Sequence, residues 1–313
     1  YKGRTRKELV TMIGKRMLLL INESSGRGQM SSSIYDIVER MTVAGYEVTL
    51  FPINPELGLG AENVLPVPTS VFDRIVCCGG DGTLNHVINR MMRSEDRQIL
   101  GYIPTGSTND FAYGMRLSGN VEEACGVITG GEEYAYDIGS FNERYYNYIA
   151  AFGAFVPVSY ATKQKLKNTL GHAAYVLTGI TQLAENMKFS CHMRIESDAG
   201  TEEGDYIFGA VSNTMSVGGI TIKGTSRHQL SDGKFELFLI KKPENIMQVS
   251  EILNCLLVQS VDSPYITSKR VDWVHFEAEK DTEWTLDGED GGAHGDVTIK
   301  VCRKAMKIMI PRD

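Results

Sequence analysis

The chain has 313 residues, enough for two domains. Its 32 lysines and arginines against 39 aspartates and glutamates leave a net charge of −7, which excludes a nucleic-acid reader, because phosphate contacts need a basic face. Hydrophobic residues at 42% and charged residues at 23% exclude disorder, collagen and coiled coil.

The basic opening stretch, Lys2 to Arg16, is set aside as a tail. Met17-Leu-Leu-Leu-Ile-Asn22 predicts a buried strand, and Ile34, Ile37, Val38 and Met41 have helical spacing behind a serine-rich start. Tyr46 to Phe51 is the second predicted strand, followed by a Pro- and Gly-bearing loop to Thr69. Arg74 to Cys78 is the third, with a helix marked by Leu84, Val87, Ile88, Met91 and Met92, and Ile99 to Ile103 is the fourth. This alternation predicts a parallel sheet with helices on both faces.

From about Tyr134 the texture changes. Tyr145 to Ala151, Phe189 to Ile195, Tyr206 to Val211, Phe235 to Ile240, Val271 to Glu277 and Val297 to Val301 are short, β-rich and separated by Gly, Asp or Asn. They predict an antiparallel layer, interrupted by helices near 161–186 and 245–258. Apolar runs such as Met17 to Ile21 are far shorter than the roughly 20 residues that span a bilayer. No basic segment leading into an apolar core opens the chain, so the expected compartment is the cytoplasm. The six cysteines form no CxxC, and Cys77 and Cys78 fall in an apolar strand, which predicts a reducing compartment with neither disulfides nor a zinc site.

The third strand runs into Gly79-Gly80-Asp81-Gly82-Thr83 and then a helix. Ligands of open parallel sheets bind beyond the carboxyl ends of the strands, glycines let backbone approach phosphate oxygens, and a helix start presents amides to an anion. One glycine would suffice for a tight turn; three around an aspartate point to phosphate. There is no GxxxxGK[ST] and no GxGxxG after a strand, which removes P-loop NTPases and the usual dinucleotide oxidoreductases. The fourth strand continues as Pro104-Thr-Gly-Ser-Thr-Asn-Asp-Phe-Ala112, where Ser107 or Thr108 could equally serve as a helix cap. The first strand ends in Asn22-Glu-Ser-Ser-Gly26. Three polar, glycine-bearing loops at one sheet edge predict a nucleotide site.

Those three segments resemble the diacylglycerol kinase catalytic family, especially its soluble bacterial lipid kinases. The resemblance continues through Asp137-Ile-Gly139, Leu170-Gly-His-Ala-Ala-Tyr175, Ser231-Asp-Gly-Lys-Phe-Glu236 and Leu286-Asp-Gly-Glu289. It implies an α/β N-terminal domain with a parallel sheet, of the type NAD kinases and diacylglycerol kinases share, over residues 1–136 with 303–313 returning. It also implies a mainly β lipid-substrate domain over 137–302. Gly79, Gly80, Asp81, Gly82, Thr83, Leu84 and Asn85, the loop of Asn22, Glu23, Ser24, Ser25 and Gly26, and the Ser107 hydroxyl would hold ATP. Asn109 and Asp110, with Asp81, would form a supporting network. His86 stands where the family often has Glu, and Leu50-Phe-Pro-Ile-Asn54 offers no match to its nucleotide-contacting Thr.

Read bare, Leu286-Asp287-Gly288-Glu289 is an Asp-Gly turn; the resemblance implies Glu289 as proton acceptor and Asp287 in support. The glycine-rich run from Asp290 to Gly295 predicts a loop. Gln229 to Lys234 likewise reads as a turn, and the resemblance implies a structural Mg²⁺ there, on Asp232 and the carbonyls of Gln229 and Lys234, distinct from the Mg²⁺ that travels with ATP. Lys163, Lys165 and Lys167 beside an apolar helix read either as a solvated face or as a basic entrance for anionic lipid. The expected function is ATP-dependent phosphorylation of a lipid hydroxyl, diacylglycerol to phosphatidic acid first, by a peripheral membrane enzyme. A homodimer is compatible with the chain. The competing expectations are an NAD kinase and a catalytically silent lipid- or nucleotide-binding regulator.

Overall fold

The computed structural model describes residues 14–22, 33–54, 57–66, 68–106, 109–153, 190–213, 216–217, 220–221, 227–258 and 260–312. The chain divides into two compact units, Tyr1–Tyr136 with Lys304–Asp313, and Asp137–Arg303.

In the first unit, β1 (Lys15–Ile21) pairs in parallel with β2 (Tyr46–Pro52) on one side and β3 (Arg74–Gly79) on the other. β3 pairs in parallel with β4 (Ile99–Pro104), and Ile308, near the end of β15 (Glu289–Ile310), pairs in parallel with Leu100 of β4. Met17 to Leu20 and Ile75 to Cys78 are wholly enclosed, as expected of strands covered on both faces. Burial pushes up the thiol pKa of Cys77 and Cys78, the latter to about 12, so both behave as small apolar side chains.

Helix α1 (Ile34–Val43) buries Ile37 and Met41, and α3 (Asp81–Met91) buries Leu84, Val87, Ile88 and Met91, the stripes their spacing predicted. The stretch expected as a loop to Thr69 contains a single helical turn, α2 (Ala61–Val64). It has too few residues to show a periodicity. After β4 come α4 (Asp110–Met115) and α5 (Val121–Gly130), the latter capped by the Asn120 side chain on the Glu123 amide.

The second unit is built on antiparallel pairs. β5 (Glu132–Phe141) pairs with β6 (Arg144–Tyr146), and β7 (Ile149–Gly153) lies between β9 (Gly200–Ser212) and β14 (Trp273–Leu286). β8 (Cys191–Ser197) pairs with β9 and β14, while β12 (Phe235–Lys241) joins β9 to β13 (Ile266–Val271). A two-stranded ladder joins β10 (Ser216–Val217) to β11 (Ile220–Thr221). One face packs aromatics, with Trp284 centred 4.9 Å from Phe152 and 5.1 Å from both Phe141 and Phe276. The other face, with Ala151, Ile207, Ala210 and Ile240, is covered by Val249 and Ile252 of α6 (Ile246–Leu257).

Three sequence expectations change here. The strand expected over Tyr145 to Ala151 is two strands, because the amides of Asn147 and Tyr148 turn to the Asp287 carboxylate instead of a neighbouring strand. Val271 to Glu277 is divided at Asp272, whose amide goes to Asp198 Oδ1 at 3.1 Å. Asp290 to Gly295 is not a loop but the start of β15, paired with β14 through register shifts. A Cβ on Gly291 would lie 2.8 Å from the Trp284 carbonyl oxygen, and Gly292 has φ +84°, so the glycines serve a bulged ladder. The helix expected over 161–186 lies outside the described residues.

Candidate functional site

In the first unit the carboxyl ends of β1, β3 and β4 are tied together by backbone. The Asn22 amide donates to Cys78 O at 2.9 Å, and the Thr105 amide donates to Gly79 O at 2.9 Å. Asn22 Nδ2 donates to Thr83 Oγ1 at 2.8 Å, joining the β1 end to the first turn of α3. Gly80 caps that helix in an extended conformation, so the first-turn amides of Asp81, Gly82 and Thr83 face the same edge.

Asp81 is the central tie. Its Oδ2 accepts the Asp110 amide at 3.1 Å and its Oδ1 the Phe111 amide at 3.4 Å, at the opening of α4. One carboxylate therefore fixes the start of α3 to the start of α4, where negative charge is favoured by both helix ends. Asn109 holds φ +53°, and its Nδ2 donates to Gly106 O at 2.8 Å, closing the turn that precedes α4. Asn109 Oδ1 is buried without a partner among the described residues.

The two glycine loops touch. A Cβ on Gly106 would stand 2.6 Å from the Gly80 Cα, closer than any side chain permits. Gly106→Ala is expected to lower the melting temperature by about 2–6 °C, as overpacking of backbone on backbone should. Thermal unfolding checks this, and an unchanged melting temperature would show that the loops part freely.

Of the residues expected around phosphate, Gly79, Gly80, Asp81, Gly82, Thr83 and Asn22 are at this edge, while Leu84 and Asn85 are buried within α3 and support it. Glu23, Ser24, Ser25, Gly26 and Ser107 lie outside the described residues, as do Lys163, Lys165 and Lys167. Tyr102 had no sequence signal. Its hydroxyl donates to Gly79 O at 3.2 Å, and burial, followed by the Asp81 charge, holds its pKa well above the ordinary phenol value, so it remains a neutral donor.

In the second unit, Asp287 and Gly288 form a two-residue hairpin between the opposed Leu286 and Glu289. Both have positive φ, +53° and +87°, the requirement of a type I′ turn and the reason for Asp-Gly. Asp287 is buried and its carboxylate accepts three backbone amides, Asn147 at 2.6 Å, Tyr148 at 2.9 Å and Ile149 at 3.1 Å. Its own amide returns to Ile149 O at 2.9 Å, and the Tyr148 hydroxyl donates to Asp287 O at 3.2 Å. Asp287, expected among the catalytic residues, thus has its carboxylate bound to backbone amides. Glu289 is half-buried at the start of β15, its carbonyl taking the Thr285 hydroxyl at 2.9 Å.

The 229–234 turn is held from within by Asp137, whose Oδ2 takes the Gly233 amide at 2.7 Å. Asn213 Nδ2 donates to Asp137 O at 2.8 Å and to Leu230 O at 3.3 Å. Asp232 does not present an open carboxylate to a Mg²⁺. Its Oδ2 meets Arg270 Nη2 at 2.6 Å and its Oδ1 accepts the Lys234 amide at 3.1 Å. Of the residues expected for the structural ion, Asp232 with the carbonyls of Gln229 and Lys234, the carboxylate does not fit it, because both its oxygens are already engaged.

The first unit is thus an α/β fold in which two glycine loops, a carboxylate tie and a helix start meet at one strand edge. The model of the diacylglycerol kinase catalytic domain matches residues 16–141. Proteins named diacylglycerol kinase from Staphylococcus aureus strains MRSA252 and bovine RF122 / ET3-1 are each 30% identical over 281 residues, covering 89% of this chain and 87% of theirs. The chain belongs to the diacylglycerol kinase family, phosphotransferases with an alcohol group as acceptor. In fold it is similar to a diacylglycerol kinase from Bacillus anthracis str. Sterne, with a TM-score of 0.73, 21% identity and coverage of 95% and 97% of the two chains. An NAD kinase from Archaeoglobus fulgidus in complex with ATP gives a TM-score of 0.51 at 14% identity, with coverage of 94% and 93%.

Proposed function

We propose that this chain is an ATP-dependent lipid kinase that transfers the γ-phosphoryl group to a lipid hydroxyl, diacylglycerol to phosphatidic acid, while associated peripherally with a membrane. The observation that supports this reading is the Asp81 clamp, which ties two glycine loops and a helix start together at one sheet edge. The amides at the start of α3 and the Gly79 to Thr83 backbone receive the phosphates, with Asn22 steadied by Thr83. Glu23, Ser24, Ser25, Gly26 and Ser107 complete the nucleotide contacts, and Asn109 and Asp110 support them. Mg²⁺ enters as part of the nucleotide substrate, neutralising its phosphates. The first unit is then the nucleotide domain and the second the lipid domain.

In the transfer step the lipid hydroxyl oxygen forms a bond to the γ-phosphorus as the bond to the β,γ-bridging oxygen breaks, and ADP leaves with that electron pair. Glu289 accepts the hydroxyl proton. Asp287 holds the hairpin that carries Glu289 against the 147–149 backbone.

The deciding experiment is transfer of labelled γ-phosphate to a panel of lipids in mixed micelles, with NAD in a parallel tube. Labelled phosphatidic acid is the expected product. Label in NADP, or ATP binding with no labelled product, would overturn the reading. Glu289→Gln is expected to lower turnover by about 10²–10⁴-fold with nucleotide affinity unchanged, and full activity in that variant would remove Glu289 as the base.

A further inference from the structure

We propose that the cation holding the 229–234 turn in this chain is the guanidinium of Arg270, so that the turn needs no divalent ion. The inference is independent of the reaction assigned above and of the Mg²⁺ that accompanies ATP.

Arg270 lies on β13 directly opposite Glu236 on β12, a cross-strand pair set by the register of the ladder. Its Nε donates to Glu236 Oε1 at 2.9 Å and its Nη2 to Asp232 Oδ2 at 2.6 Å, so one planar fork bridges two carboxylates. Glu236 is the more enclosed of the two, and burial raises its carboxyl pKa against the lowering effect of Arg270. Burial also works against the charge of Arg270, but hydrogen bonding and attraction from Asp232, then Glu236, more than offset it, and its pKa is raised.

Other polar groups of the turn are engaged as well. Lys234 turns its ammonium to Asp198, with Asp272 at 3.9 Å, and its amide to Asp232. Leu230 O receives Asn213, and the Gly233 amide goes to Asp137. Mg²⁺ demands near-octahedral oxygens at about 2.0–2.1 Å and gives up its water reluctantly. At Asp232 it would have to share a single carboxylate with a full positive charge already in hydrogen-bond contact. The guanidinium supplies the same neutralisation without that dehydration, and sheet register delivers it as the chain folds.

The test uses nucleotide-free protein. The melting temperature in EDTA is expected to agree within about 1 °C with that in millimolar MgCl₂, and Mn²⁺ titration followed by electron paramagnetic resonance is expected to show no bound equivalent. Arg270→Met is expected to lower the melting temperature by about 3–6 °C. It should also create a dependence on Mg²⁺ and one bound Mn²⁺ per chain, lost again on adding Asp232→Asn. Arg270→Lys, which keeps charge but loses the fork, guards against a methionine variant that fails to fold; it is expected to be partly destabilised and to bind no Mn²⁺. One equivalent of Mn²⁺ in the unaltered protein, removed by Asp232→Asn, would overturn the proposal, as would an Arg270→Met variant with an unchanged melting temperature.

Discussion

Asp81→Ala is expected to reduce phosphoryl transfer by about 10³-fold or more, with a rise in nucleotide KM as well as a fall in kcat. The carboxylate reaches the amides of Asp110 and Phe111, so its loss frees the start of α4 from the start of α3. The Gly106 turn, which closes on Gly80 with no room for a methyl group, then loses the tie that keeps the two loops together. Stability should fall by only about 1–3 kcal/mol, since two half-buried amides lose their acceptor. The enclosed strands β1 and β3 do not depend on them. Asp81→Asn retains one acceptor oxygen and should fall between the two, which a merely steric role for the side chain would not produce. Activity of Asp81→Ala within about tenfold of the unaltered protein would sink the clamp.

The strands of the first unit were legible because each is a nearly unbroken apolar run: Met17 to Asn22, Arg74 to Cys78 and Ile99 to Ile103 mark β1, β3 and β4 to within two residues. The glycine loops were legible as composition. What those loops hold on to was not, because Asp81 and the amides it accepts are about thirty residues apart and a backbone acceptor leaves no mark on the sequence. The sequence of the second unit predicts only short strands, whereas β14 runs Trp273–Leu286 and β15 Glu289–Ile310. Polar Glu277 to Glu283 and the glycines after Glu289 hide that length, since long strands with bulges lose strict alternation. Arg270 was missed for a related reason. Only the register of β12 against β13 sets it opposite Glu236 and beside Asp232.

Asp287 makes the same point at larger scale, and its replacement should have the largest effect on stability. Its carboxylate accepts three amides 138 to 140 residues away in sequence, at the bend that separates β6 from β7. Without it the buried Asn147 amide has no acceptor, at roughly 1–3 kcal/mol, and the part-buried Tyr148 and Ile149 amides, which water can reach, add a smaller cost each. Asp287→Ala is therefore expected to lose about 3–6 kcal/mol in urea unfolding. Part of that comes from the turn itself, because φ +53° is strained for alanine by about 1–2 kcal/mol. Asp287→Gly removes that strain while still deleting the carboxylate, so the difference between the two variants isolates the backbone term. Asp287→Asn tolerates the left-handed turn and can keep one oxygen on Tyr148 and Ile149, but it sets an amide donor against the Asn147 amide. It should be the mildest of the three in stability. If Glu289 is the base, Asp287→Asn should still cost turnover out of proportion to its stability, because the hairpin that aims Glu289 is held less firmly. A stable Asp287→Asn with full turnover would show that the clamp serves folding alone, and an Asp287→Gly as stable as the unaltered protein would show that the three amides find other partners.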